Sequence, residues 1–220
     1  SSNVSIYYWV VKYARMINQF TNKLKLGISC EIQLDEIEYH RRKSHKVNKG
    51  MEQNWFIDSI CPRTKFMTAS NYFKARGQDE IKQIVKAIKD RTENDILTIT
   101  TDGLQAYPKV IKSVFGYNKS EKKFNTFHKM VNASKGEGFN HPIERLHNTI
   151  RQRTKIFRGF HGSIESANAI MKGFEVYYNF INKHQAINCS PYELATDLEL
   201  KENNKWLELI KLGKTNLTIK

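Results

Sequence analysis

Ile28-Ser29-Cys30-Glu31-Ile32-Gln33-Leu34-Asp35 alternates with period two, the signature of a half-buried strand, and it ends on an acid. Two further strands are predicted downstream, Asn54–Ile60 and Lys65–Ser70. They flank Cys61-Pro62-Arg63-Thr64, a proline-bearing connection of hairpin type. Together the three make an antiparallel meander. The basic stretch between the first two, Tyr39 to Gly50, reads as an exposed turn or loop.

Outward from the meander the texture becomes alternating. A helix is predicted from Gln78 to about Lys89, with Ile81, Ile84, Val85 and Ile88 on one face. Ile96–Thr101 is a short buried-type strand that runs into Asp102-Gly103. Leu104–Phe115 reads as helical, with Pro108 near its first turn. Lys122–Phe127 is a candidate fifth strand, and Lys129–Asn140 a polar, glycine-bearing loop. Pro142 opens a long helix to about Phe157. Ser163–Asn182 is another helix, and Ser190-Pro191-Tyr192-Glu193-Leu194 begins a short one. On the N-terminal side, Ile6, Trp9, Val10, Tyr13, Met16, Ile17 and Phe20 recur at helical spacing, with Ser2 or Ser5 as the cap. Three antiparallel strands followed by alternating helices and strands imply an α/β fold with a mixed sheet and helices on its faces.

The chain has 220 residues, 36 Lys+Arg against 22 Asp+Glu, and a formal charge of +14. So basic a surface suits a polyanion: nucleic acid first, anionic membrane second. Hydrophobic residues at 40% supply a core and exclude wholesale disorder. No apolar run approaches the roughly 18–20 residues of a membrane span. Ser1-Ser2-Asn3-Val4 lacks the start of a signal peptide. Cys30, Cys61 and Cys189 are odd in number and widely spaced, which argues against a zinc ribbon and for buried thiols in a reducing compartment.

In so basic a chain, acids at strand ends stand out. Ligands meet an α/β scaffold at strand ends and the loops that follow. Asp35 and Asp102 both sit there. Taken alone, Asp102-Gly103 reads more readily as a turn whose acid caps the next helix. On the helix opened by Pro142, positions 144, 147, 151, 155 and 158 form one stripe of Glu, His, Arg, Lys and Arg. Ile143, Leu146, Ile150 and Phe157 lie on the opposite, core-facing side. A solvated face with ordinary ion pairs is the plain reading of the stripe. The alternative is chemical. Three carboxylates, Asp35, Asp102 and Glu144, can bind two divalent cations that clamp the oxygens of an in-line phosphoryl displacement. Hard oxygen ligands with no soft donors favour magnesium.

The ordered set of short motifs resembles the DDE transposases of prokaryotic insertion sequences, in particular family six and its archaeal relatives. The matching pieces are Leu34-Asp35-Glu36, Thr101-Asp102-Gly103, Asn140-x-x-Ile143-Glu144-Arg145-x-His147, Arg151-x-Arg153-x-Lys155-x-x-Arg158-Gly159-Phe160, Tyr178–His184 and Ser190–Ala195. The resemblance covers roughly residues 28–196. It implies a ribonuclease H-like fold with a mixed five-stranded sheet flanked by helices. It also implies Asp35, Asp102 and Glu144 as the catalytic, metal-binding triad. Asp35 and Asp102 are 67 residues apart, and Asp102 and Glu144 are 42 apart. The second spacing exceeds the group's usual one, with the excess falling in loop 129–140. Glu36 adjoins Asp35 but is expected to point to the opposite strand face. Asp58 is read as a hairpin acid outside the triad.

The implied activity is two-metal cleavage at transposon ends, followed by strand transfer into target DNA. The ions are Mg²⁺, with Mn²⁺ able to substitute. The implied partners are double-stranded DNA and a second subunit, in a homodimer or larger complex, in the prokaryotic cytoplasm at the nucleoid. DNA-contact candidates are His147, Arg151, Arg153, Lys155 and Arg158, with Arg41, Arg42 and Lys43 from the basic run after Asp35. His147 reads equally as a satisfied structural histidine. By the same resemblance, residues 1–26 are the end of a helix-turn-helix region and its linker, 27–196 the catalytic domain and 197–220 a charged tail. A ribonuclease H-like nuclease without strand transfer, or a DNA-binding protein without chemistry, are the competing functions.

Overall fold

The computed structural model describes residues 2–28, 30–42, 51–93, 96–131, 141–155, 160 and 162–218. Strands β1 (Glu31–Arg42), β2 (Met51–Ile60) and β3 (Met67–Phe73) form the antiparallel meander. β1 is longer than its alternating core. It continues through Tyr39 to Arg42, which pair with Asn54 to Met51 of β2, so the start of the basic stretch is strand. Cross-strand pairing holds a polar segment extended where its own sequence has no apolar alternation. The connection between β2 and β3 closes with Lys65 N donating to the Cys61 carbonyl at 2.9 Å.

Helix α2 (Gln78–Arg91) follows, with Asp79 and Glu80 in its first turn and Lys89 and Arg91 in its last, a charge order that suits the helix dipole. β4 (Thr98–Thr101) then pairs parallel with β1, and α3 (Ala106–Phe115) returns along the sheet. The fifth sheet strand differs from the expectation. It is Phe127–Met130, not Lys122–Phe127, and it pairs parallel with β4. The residues before it form a separate small hairpin, β5 (Tyr117–Asn118) with β6 (Lys123–Phe124), whose two rings meet edge-to-face at 5.2 Å. The fifth strand, β7 (Phe127–Met130), lies at the sheet edge with three of its four residues exposed. An exposed edge strand carries little period-two signal, which is why the sequence pattern does not mark it. The sheet order is β3-β2-β1-β4-β7, the mixed five-stranded arrangement expected of a ribonuclease H-like domain.

The sheet has a core on each face. On one, Ile32, Leu34, Ile57 and Ile99 pack with α2 and α3. On the other, Ile37, Phe56 and Ile60 pack with α4 (His141–Thr154) and α5 (Ile164–Val176). α4 buries Ile143, Leu146 and Ile150, as its pattern predicts; Phe157 lies outside the described residues. α5 runs into one wider π turn, Tyr177–Ile181. There the buried Asn179 amide clamps the Met67 backbone, accepting from its N–H at 2.8 Å and donating to its carbonyl at 3.0 Å.

Helix α1 (Asn3–Thr21) is capped by Ser2, which accepts from Ser5 N. Its buried side is Val11, Ala14, Ile17 and Thr21, whereas Ile6, Trp9, Val10 and Tyr13 from the expected apolar face stay exposed. The helix packs through this other side instead. A methyl group on Gly173 of α5 would touch the Ala14 methyl at 3.5 Å. After the short α6 (Tyr192–Ala195), residues 205–218 form α7, with Leu209 fully buried. No helix among the described residues is long and apolar enough to cross a membrane.

Candidate active site

The parallel pairing of β1 with β4 ends at Gln33 opposite Thr100. Two residues further along each chain, Asp35 and Asp102 reach the same level, Asp35 still in β1 and Asp102 just past the end of β4. β4 stops here, and among the described residues β1 is next met on that side at Arg41, by a bridge to Phe160. Asp35 points to the α4 face of the sheet. Glu36 starts from the opposite face, yet its longer side chain reaches the same gap. Carboxylate oxygens of Asp35, Glu36 and Asp102 lie within 4.8 Å of one another. Glu36 is expected to point away from Asp35, because neighbours on a strand diverge. That holds inside a sheet and fails where the adjoining strand has ended.

The three acids are held differently. Glu36 is partnered on both oxygens: Oε1 accepts from Arg76 at 3.0 Å, and Oε2 accepts from the Tyr107 hydroxyl. Burial raises its affinity for a proton, against those two donors. Tyr107 is itself pushed well above the usual phenol range by burial and by the Glu36 charge. Among the described residues Asp35 Oδ1 accepts only from the neighbouring Glu36 N–H, at 2.8 Å. Asp102 Oδ1 accepts from Leu104 N at 3.0 Å, so it does make the turn bond its sequence suggests while also joining the cluster. Among the described residues no Lys or Arg makes a salt bridge to Asp35 or Asp102. Burial pushes the Asp35 carboxyl up to about 7, with His147 pulling the other way.

α4 runs along β1 and brings its side chains to this level. The Gln33 amide oxygen accepts from Ile143 N at 3.2 Å, and at the far end Tyr39 and Thr154 share a 2.8 Å hydrogen bond. Between them, His147 Nδ1 stands 3.6 Å from Asp35 Oδ2, and His147 Nε2–H donates to Asp58 at 2.8 Å. Asp58 is opposite Asp35 in the β1–β2 register and is completely buried. Burial pulls the imidazole pKa down, but Asp58 and then Asp35 outweigh it, so the net shift is upward. Burial raises Asp58 itself, against His147.

Glu144 lies one turn before His147. It is half-exposed and outside the 4.8 Å cluster, with Oε2 3.8 Å from His141 Nδ1. The stripe of the sequence is thus split: His147 is buried, while Arg151 and Lys155 are exposed, as is Arg153 off the stripe. Arg153 lies over the Tyr177 ring at 5.0 Å and donates to its hydroxyl at 3.2 Å. Arg41 is occupied inside the fold by Glu52 and by the Gly162 carbonyl, the latter at 2.7 Å. Lys43 and Arg158 lie outside the described residues, and of Arg42 only the backbone, at the end of β1, is described.

A family model described as a DDE domain matches residues 65–185, more than half of the chain. The chain belongs to the insertion-sequence DDE transposase family. The match includes Asp102 and Glu144 and begins after Asp35. No curated protein matches the chain. Membership places this DDE domain in a family of DNA-cleaving enzymes that use divalent metal ions, and makes DNA its partner. The chemistry of the donor set agrees. Clustered carboxylates without a Lys or Arg for Asp35 or Asp102 are costly alone, and a hard divalent cation relieves that cost. Asp35 and Asp102 have coordination capacity to spare, whereas Glu36 is already satisfied by Arg76 and Tyr107.

Proposed function

We propose that this protein is a transposase that nicks DNA at transposon ends and joins the freed 3′ end to target DNA. The single observation that carries the reading is the meeting of Asp35 and Asp102 at the end of β4, with α4 laid across β1 beside them. Asp35 and Asp102 would hold the metal, with Glu144 as the third ligand reached from α4. Two Mg²⁺ ions, for which Mn²⁺ can substitute, would supply activation of the attacking oxygen and charge neutralisation at the leaving one. The chain's own residues do the rest. Arg151 and Arg153, exposed on the next turns of α4, and Lys155, exposed just past its end, bind backbone phosphates and fix the scissile bond against the acids. The buried Gln33–Ile143 and part-buried Tyr39–Thr154 bonds keep α4 in register with β1, so the acid and the cations hold their spacing.

The DNA is double-stranded: transposon terminal repeats and a target. Handling two ends calls for a homodimer or larger complex, in the prokaryotic cytoplasm. We further assign residues 1–26 to the end of a DNA-binding region, 27–196 to the catalytic domain and 197–220 to a C-terminal extension. A strand-transfer assay tests the function. Given a pre-cleaved end, target DNA and Mg²⁺, the protein should yield joined products, and Glu144→Gln should not. Hydrolysis without joining would make it a nuclease. Joining undiminished in Glu144→Gln would remove Glu144 from the site.

A further inference from the structure

Asp58 is an acid in the middle of a central strand with no exposed surface. Its Oδ1 accepts from His147, and its Oδ2 is buried without a hydrogen-bond partner among the described residues. Burying a carboxylate costs several kcal/mol unless it is well paired, and replacing such a pair by apolar side chains of similar size is often neutral or stabilising. For the fold alone, two leucines between β2 and α4 would serve as well. The pair has another neighbour. On the far side of the imidazole, Nδ1 stands 3.6 Å from Asp35 Oδ2, and Asp35 and Asp58 face each other across the β1–β2 ladder. Asp58, His147 and Asp35 therefore form one row from the interior to the carboxylate cluster. Among the described residues Asp35 receives no side-chain hydrogen bond: Oδ1 accepts from the adjacent Glu36 N–H, and the imidazole stands beside Oδ2.

We propose that Asp58 and His147 are positioning residues: Asp58 fixes the imidazole through Nε2, and the imidazole in turn fixes the rotamer of Asp35, so that Asp35 presents its carboxylate to a divalent cation. This rests on the reading of Asp35 as a metal ligand. It adds to that reading two residues outside the Asp35, Asp102 and Glu144 triad. Partners of this kind orient the groups that ligate a metal, and losing them typically costs 10–100-fold in metal affinity.

The test is Mn²⁺ titration by calorimetry on the full chain, with melting measured separately in EDTA. Two variants address the pair. His147→Gln keeps a donor toward Asp58 and removes the nitrogen that faces Asp35. The double variant D58L/H147L replaces the pair by an apolar contact. Both should melt in EDTA within a few degrees of the parent and bind Mn²⁺ about 10- to 100-fold more weakly. Unchanged Mn²⁺ affinity in both, with binding abolished in Asp35→Asn, would overturn the proposal and leave the transposase reading standing. Undiminished binding in Asp35→Asn would bring down that reading and the proposal with it. Unfolding of both pair variants in EDTA would also overturn the proposal, because the pair would then be a requirement of the fold.

Discussion

Asp102→Asn should stabilise the metal-free protein and abolish its response to divalent cations. The carboxylates of Asp35, Glu36 and Asp102 lie within 4.8 Å of one another. Two unit charges at that separation repel by about 1 kcal/mol at the dielectric constant of water and about 3 kcal/mol at an effective value of 20. The Asp35 side chain is 24% exposed, so the relief should fall between these limits. The substitution costs little in return, since the side-chain carbonyl of Asn can still accept from Leu104 N. In a domain of this size each kcal/mol is worth about 2–4 °C in Tm.

The gain depends on pH in a definite direction. Asp35 is pushed up to about 7 from an ordinary 3.8, so the metal-free parent loses stability as pH rises from the lower value through the higher. Asp35 repels Asp102 only when ionised. The share of the Asp102→Asn advantage that comes from Asp35 should therefore be full at about pH 8 and fade below about pH 6. Scanning calorimetry in EDTA at both pH values, repeated with Mg²⁺, is the assay. Saturating Mg²⁺ at a hundred times its Kd should add about 2.7 kcal/mol to the parent and close to nothing to the variant. A variant that melts below the parent in EDTA at the higher pH, or that gains the same stability from Mg²⁺, would refute the reasoning.

Three other outcomes are expected. Glu175→Ala should cost about 3–5 kcal/mol in urea unfolding. Glu175 is buried and accepts from Ser70 at 2.6 Å and Lys172 at 2.8 Å, with Arg91 at 3.9 Å, so its loss strands two buried cations. Ile150→Ala, at a fully buried position of α4, should destabilise by about 2–4 kcal/mol in the same measurement. Arg151→Ala should leave the melting temperature unchanged but weaken DNA binding, with the salt dependence of log K shallower by about 1. An unaltered salt slope would place Arg151 off the DNA.

Much of the domain is legible in the sequence. Alternation in Ile28–Asp35 and the proline connection at Cys61–Thr64 marked the meander. Three-and-four spacing marked α2 and α4, and Asp102 and Asp35 stood out as acids at strand ends in a basic chain. These are local signals: each depends on residues a few positions apart along one element. What escaped has a non-local cause. β1 extends to Arg42 because β2 supplies its partner, and β7 is a strand because β4 lies beside it. The outer side of α1 looked like a core face because sequence periodicity reports amphipathicity and not which neighbour arrives.

The same division runs through the site. Residue types and their order along the chain were enough to nominate Asp35, Asp102 and Glu144. Only the tertiary structure could bring Glu36 into the cluster, since that follows from β4 ending one residue short of Asp102. Only it could turn His147 from a member of a basic stripe into a buried link between Asp58 and Asp35, residues 89 and 112 positions away. Hydrophobic period and charge are written along the chain, whereas the ending of a neighbouring strand and the face a helix presents are decided by elements far from it in sequence.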